Sequence, residues 1–231
     1  MKREIRITSD GSTTIYLPDW DEQYHSKHGA IQEAYHVFIK TGFELFCHSE
    51  QSEESLEEIS ILEIGFGTGL NSFITFLEAK KNNKKIEYVG VEAYPVLEDE
   101  IQKLNYVAEL NASKSQVIFD EMHAVSWNEK HQITEDFSLT KRKQFFKDID
   151  DENCFNLIYF DAFGAEHQPK LWTETIFEKM YKSLKTDGVL VTYSAKGSVR
   201  RAMQTVGFTV ERLEGPPGKR EMLRATKIVG S

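Results

Sequence analysis

Three carboxylates and a run of spaced glycines stand where this chain can do chemistry. Ile59-Ser-Ile-Leu-Glu63-Ile is a short apolar run with β-branched residues, and Gly65, Gly67 and Gly69 follow it at alternate positions before an apolar periodic segment begins. That order reads as strand, tight turn, helix. Glycine serves where backbone must take a positive φ or come within contact distance of a ligand, and the helix start beyond it offers unpaired N–H groups. A polar ligand bearing a carboxylate or phosphate is expected at the turn. A dinucleotide loop needs G-x-G-x-x-G, but Leu70 occupies the third glycine's place. The pattern here is E-x-G-x-G-x-G. Glu92 closes a second apolar run, Ile86-Glu-Tyr-Val-Gly-Val-Glu92, and Asp161 closes a third, Asn156-Leu-Ile-Tyr-Phe-Asp161.

The elements that must position these groups alternate along the chain. After the first strand come a helix (70–80), a strand (86–92), a helix (96–110), a short strand (117–119) and a helix (139–149). The strand 156–161, a helix (170–184), a strand (189–194), a helix (198–206) and strands at 209–213 and 222–228 follow. Such alternation predicts a parallel sheet with right-handed crossovers, its last strand antiparallel. Ligands of open parallel sheets lie beyond the carboxyl ends of the strands. Gly65 to Gly69, Glu92, Asp120, Asp161 and Ser194 all fall at such ends and should face one crevice. Ahead of this unit, residues 3–17 alternate about a Ser9-Asp-Gly-Ser12 turn, which predicts a hairpin, and helical spacing over 30–46 is broken by Gly42. The glutamate-rich stretch 47–58 reads as a linker, so the division expected is an extension over 1–58 and a main domain over 59–231.

Composition narrows the class. The chain of 231 residues is 40% hydrophobic and 28% charged, as in globular proteins, and no apolar run reaches the length of a membrane span. A secretory signal is not visible, and Cys47 and Cys154 are isolated, so a reducing cytoplasm is the expected compartment. His25 and His28 read as surface or locally hydrogen-bonded groups, and no metal site is expected. The net charge of −9 opposes indiscriminate nucleic-acid binding, yet from Lys196 to Lys227 eight basic residues face three acids. An acidic body with one basic end suits docking of a particular folded RNA in one orientation.

The glycine pattern with Glu63 resembles motif I of the class I S-adenosylmethionine methyltransferases. The resemblance implies an α/β Rossmann-like fold: a seven-stranded, mostly parallel sheet with helices on both faces, here preceded by the hairpin and helix. It implies S-adenosylmethionine bound by Glu63, Gly65, Gly67 and Gly69, with Glu92 accepting from the ribose hydroxyls and Asp120 or Glu121 at the adenine. A more specific likeness covers about residues 19–227. Asp161, Phe163, Pro169 and Trp172 match the D-x-F-x-P-x-x-x-P-x-(M/L)-W pattern of the MnmC-type methyltransferase domain, with Ala165 departing from it. Gly65-Phe-Gly67-Thr-Gly69-Leu-Asn71 matches that family's first motif, and Tyr24, Gly29 and Glu33 resemble its N-terminal region.

That family finishes 5-methylaminomethyl groups on tRNA wobble uridine, and its FAD oxidase domain is not found in these residues. The likeness implies N-methylation of 5-aminomethyl-uridine, with Asp161 catalytic, Asn71 at the cofactor, and separate enzymes supplying the aminomethyl precursor. Phe163, Trp172 or Tyr193 would stack on the uridine of the anticodon loop. Lys219 and Arg220, then Lys196, Arg200 and Arg201, would meet phosphates. The alternatives are a small-amine methyltransferase or polyamine aminopropyltransferase of the same fold, and an RNA-binding module without catalysis.

Overall fold

The computed structural model describes residues 2–47 and 58–228. The chain opens with three short antiparallel strands, β1 (Glu4–Ile7), β2 (Thr13–Leu17) and β3 (Glu22–Gln23), in the order β1-β2-β3. The expected hairpin is there, and β3 extends it. A helical stretch follows as α1 (Ala30–Ala34), a π-helical segment (Tyr35–Phe43) and α2 (Glu44–Cys47). Gly42 does not break it. A Cβ there would lie 3.1 Å from Val191 Cγ2 and 3.3 Å from Leu157 Cδ1, so the glycine lets the helix press onto the sheet. Of the acidic stretch 47–58 read as a linker, residues 48–57 lie outside the described residues.

The main sheet is built from β4 (Ile59–Ile64), β5 (Ile86–Val91), β6 (Lys130–Thr134), β7 (Phe137–Arg142), β8 (Phe155–Phe160), β9 (Leu184–Thr192), β10 (Thr209–Glu214) and β11 (Glu221–Thr226). Its order is β10-β11-β9-β8-β4-β5-β7-β6, one strand more than the seven expected. Strands β9, β8, β4, β5 and β7 run parallel; β11 and β6 are antiparallel to their neighbours. All six residues of β4 are buried, as an unbroken apolar run covered on both faces requires. The crossover helices are α3 (Leu70–Lys81), the short α4 (Glu98–Ile101) and α5 (Tyr106–Glu109), α6 (Gln116–Ala124), α7 (Glu174–Ser183) and α8 (Gly197–Thr205).

Two stretches differ from the sequence reading. Residues 117–119 are helical, because Phe119 and Met122 share one buried face of α6 while Val117 is exposed. The third parallel strand is β7 instead, which overlaps the start of the stretch read as a helix over 139–149. Its Phe137, Ser138, Leu139 and Lys141 are buried, and the lysine disguises the strand. Two apolar layers enclose the sheet. One packs Phe38, Phe73, Tyr88 and Tyr159 beneath α1 to α3, and the other packs Phe160, Trp172, Phe177 and Met203 beneath α7 and α8.

Candidate active site

Strand order reverses between β4 and β8, and an open parallel sheet forms its crevice at that point. A cavity of about 1690 Å³ opens there. Gly65 follows β4 and Asp161 follows β8, and the two loops touch. A Cβ on Gly65 would stand 2.6 Å from Asp161 O, and its φ is +92°, so space and backbone both demand glycine. Asp161 thereby meets the first turn of the glycine loop.

One amide ties the buried acids together. Asn71, on the first turn of α3, donates from Nδ2 to Glu63 Oε1 at 2.8 Å and to Asp161 Oδ2 at 2.9 Å. Tyr88 donates its hydroxyl to Glu63 Oε2 at 3.0 Å. Burial raises Glu63 well above the usual carboxylate range, and the bonds from Asn71 and Tyr88 oppose that rise. Asp161 is pushed up to about 7, chiefly by burial and then by the charge of Glu33, against the Asn71 bond and the Lys219 charge. Asn71 Oδ1 is buried on the cavity wall without a partner among the described residues, an acceptor that suits an incoming ammonium.

Glu92 closes the next strand. Its Oε2 accepts from Gly67 N at 3.1 Å and its Oε1 from Tyr94 N at 2.9 Å, which fixes the carboxylate and leaves each oxygen a further lone pair. These residues fit S-adenosylmethionine. A rigid acid suits its ribose hydroxyls, the orphaned amide oxygen suits its amino group, and the glycine turn leaves room for backbone contact. His25, read as surface or locally bonded, lies deep between Thr14 and Thr68, with Nδ1 3.1 Å from Thr14 Oγ1 and Nε2 3.3 Å from Thr68 Oγ1. Burial pushes it down to about 4, so it is neutral there. Tyr106 donates to Thr68 Oγ1 at 3.1 Å and His123 Nε2 lies 3.1 Å from Thr68 O, so three rings clamp the glycine loop.

An aromatic cluster also lines the cavity, and its Tyr24 packs against Gly67 of the glycine loop. Phe163 makes edge contacts with Trp20 at 5.8 Å and Tyr24 at 5.0 Å between ring centroids, and all three line the cavity. Trp172 does not line it. The indole is 5% exposed, packs on Phe160 and Phe177, and donates Nε1–H to Phe163 O at 2.7 Å. Its place is the core, where it holds the backbone of Phe163. Ser194 is likewise buried, while its neighbour Tyr193 faces the cavity.

The acids expected at the adenine are elsewhere. Asp120 and Glu121 lie on α6, outside the cavity wall, and Asp120 accepts from Gln116 of the same helix at 2.8 Å. Lys143, Phe145 and Lys147, which follow β7, line the cavity at the corresponding strand end. The expected phosphate contacts separate as well. Arg220 is exposed on the turn between β10 and β11, Lys196 pairs with Glu166 at the cavity rim, and Lys219 pairs with Glu33 inside. Among the described residues, Glu22, Glu166 and His167 gather within 4.8 Å. His167 pairs with Glu22 at 3.0 Å and Lys196 with Glu166, so both carboxylates already have partners.

The site residues not picked out from sequence are Trp20, Thr68, Tyr88 and the Glu33–Lys219 pair. Trp20 and Glu33 come from the N-terminal segment, Tyr88 reaches Glu63 from the neighbouring strand and Lys219 joins Glu33 from the far hairpin. Thr68 lies within the glycine loop, and its role shows only in its contacts with His25, Tyr106 and His123.

Comparison with known proteins is consistent with this geometry. Residues 105–228 match the family described as S-adenosyl-L-methionine-dependent methyltransferase. The tRNA 5-methylaminomethyl-2-thiouridine biosynthesis bifunctional protein MnmC of Actinobacillus pleuropneumoniae serotype 5b is 26% identical over 240 residues, covering 96% of this chain and 35% of that protein. Its namesake in Leptospira borgpetersenii is 28% identical over 213 residues, covering 88% of this chain and 32% of that protein. The chain thus spans about a third of the length of these relatives. Among solved structures, MnmC2 from Aquifex aeolicus superposes with a TM-score of 0.73 at 25% identity, covering 98% of this chain and 70% of that one. Spermidine synthase from Thermotoga maritima, at 13% identity and a TM-score of 0.53, shares the fold.

Proposed function

Because the chain belongs to the S-adenosyl-L-methionine-dependent methyltransferase family, we propose that it methylates the nitrogen of a 5-aminomethyl group on the wobble uridine (position 34) of tRNA, giving 5-methylaminomethyl-uridine or its 2-thio form. The observation that carries this reading is Asp161, a carboxyl poised near neutrality at the switch point of the sheet, bonded to the glycine-loop helix through Asn71 and facing an aromatic wall. The names of the relatives support the choice of substrate.

S-adenosylmethionine supplies, when bound, an electrophilic methyl group on its sulfonium. Gly65, Gly67, Asn71 and Glu92 are the residues that would hold it, while Glu63, expected at the cofactor, lies buried behind the cavity wall and would act by seating Asn71. The chain's own task is to present an amine. An alkylamine titrates near 10.4 in water, so it arrives as an ammonium without a lone pair. Asp161, whose carboxyl burial pushes up to about 7, binds that ammonium in its ionised form, takes one proton and keeps the nitrogen oriented for attack. The methylated product is again a cation, which the same carboxylate stabilises once its proton has passed to solvent. Phe163, flanked by Trp20 and Tyr24, offers a face for the pyrimidine, and a uridine in an anticodon loop can enter without opening a duplex.

The purified chain, given labelled S-adenosylmethionine and tRNA carrying 5-aminomethyl-uridine, is expected to label the wobble nucleoside, read by nucleoside mass spectrometry. Label entering small primary amines but not tRNA would replace this reading with that of a small-amine methyltransferase.

A further inference from the structure

Lys219 and Glu33 meet inside the cavity that holds Asp161. Lys219 sits on the turn between β10 and β11, where a basic residue suggests an RNA phosphate. Its Nζ instead forms an ion pair with Glu33 of α1 and lies 3.8 Å from the centroid of the Tyr193 ring. The pair is sheltered, the glutamate side chain being 10% exposed and the lysine 32%. Glu33 Oε2 also accepts from Ser26 N at 2.8 Å, and Tyr193 donates its hydroxyl to Ala162 O, beside Asp161, at 2.8 Å. A carboxylate, an aromatic face and an ammonium from three distant segments are thus fixed together on the wall that Asp161 shares.

We propose that Glu33 and Lys219 are a matched pair of positioning residues: Lys219 keeps Asp161 anionic enough to hold the substrate amine, and Glu33 seats Lys219 while tempering its charge. The inference rests on the reading of Asp161 as the acid that meets the amine. It gives Lys219 a role in methyl transfer in place of a phosphate contact.

The groups that act on Asp161 come from every element around it. Glu63 of β4 and Tyr88 of β5 both feel its charge, Asn71 of α3 bonds it, and Tyr193 after β9 faces it. Glu92 and Glu22 are further acids on the cavity wall. Burial pushes Asp161 up and Glu33 pushes it further, whereas Lys219 pulls it back. Without Lys219, Glu33 would stand unpaired and push Asp161 further towards the neutral acid, which cannot hold an ammonium electrostatically. Without Glu33, Lys219 would hold Asp161 ionised more firmly and compete for it with the substrate. Only the pair leaves the carboxyl balanced.

The test needs no methyl acceptor. With aspartate labelled at its side-chain carboxyl carbon, the Asp161 resonance is assigned by its loss in Asp161→Asn and titrated by NMR. The wild-type midpoint is expected near 7. Lys219→Met should raise it by roughly one unit and Glu33→Gln lower it by a similar amount, the size of effect carried by one nearby charge. The double variant should return towards the wild-type midpoint, and Lys219→Arg should keep it. Gln at 33 retains an acceptor for Ser26 N, so a fold defect in that variant is not built in.

The acid limb of the rate–pH profile on aminomethyl tRNA should move in step with the resonance. Shifts of the same sign in the two single variants, no shift in either, or a double variant as displaced as Lys219→Met would overturn the proposal. So would an unmoved titration in Lys219→Met together with a salt slope of tRNA binding reduced by about one, which marks a phosphate contact. NMR shifts as expected with no methylation of tRNA would uphold the pair and overturn the substrate reading alone.

Discussion

The two walls of the cavity are assembled in different ways. On the proposed cofactor side, Gly65, Gly67, Asn71 and Glu92 line the cavity, with Glu63 and Gly69 behind them, and all come from one continuous strand–turn–helix–strand unit joined by short bonds within it. On the acceptor side, Trp20, Tyr24, Glu33, Phe163, Tyr193 and Lys219 come from the N-terminal sheet, α1, and the segments after β8, β9 and β10. The first wall is rigid because its partners are neighbours in the fold. The second depends on packing between separate elements, and one ion pair bridges the two ends of the chain. In the proposed reaction a common donor would be bound by local geometry and the acceptor chosen by residues from distant segments, with Tyr24, packed against Gly67, where the two sides meet. Asp161 stands where the walls touch.

Asp161→Ala breaks that junction and carries the largest expected effect. Turnover should fall by about 10²- to 10⁴-fold, the usual worth of a positioned acid–base group, with S-adenosylmethionine affinity within a few-fold of wild type by calorimetry. Turnover near the wild-type rate would remove Asp161 from the chemistry. Gly65→Ala attacks the local wall. Its Cβ would drive against Asp161 O at a positive φ, costing about 3 kcal/mol of stability and abolishing cofactor binding. Urea melts and calorimetry would show both, and a variant that binds normally would refute the close approach.

A third outcome concerns pH. Asp161 is pushed from its reference of 3.8 up to about 7 in the folded protein. Between those values the native state holds more protons than the unfolded chain, so this group makes stability fall as pH rises from about 4 to about 7. Asp161→Asn removes that penalty. It should stabilise the protein by on the order of 2 kcal/mol at pH 8 and by little at pH 4, read from denaturant melts at the two pH values. Equal effects at both would mean that the carboxyl is not perturbed. The smallest effect should come from Phe163→Ala, which sharpens the contrast between the walls. RNA binding is expected to weaken about tenfold, in line with the loss of one stacking face, while cofactor binding stays unchanged. A change in cofactor affinity instead would merge the two walls.

Sequence revealed the local wall and hid most of the other. The glycine turn, α3, β5 and β8 declare themselves through apolar runs, spacing and terminal acids, all of them short-range properties. The stretch around 105–150 misleads because tertiary packing overrides local pattern. Val117-Ile118 has β-branched side chains, yet the helical spacing of Phe119 and Met122 wins. Lys141-Arg142-Lys143 looks solvated, yet Lys141 is 1% exposed, donates to His123 O at 2.6 Å and lies 5.0 Å from the Trp127 ring. Burial pushes that lysine down to about 8. With the strand misplaced, its terminal residues were misplaced too, so Asp120 and Glu121 took the position that Lys143 and Phe145 hold. Trp172 is one of three rings that sequence offers for stacking on the base, and its indole N–H instead anchors the Phe163 carbonyl.

The ion pair between Glu33 and Lys219 spans 186 residues of chain. At elongation rates of about 5 to 20 residues per second, a ribosome exposes the glutamate roughly ten to forty seconds before its lysine. Through that interval a nascent chain can already fold the glycine loop yet lacks the cation that balances Asp161. The pair is therefore complete only after the β10–β11 hairpin has been made and has docked.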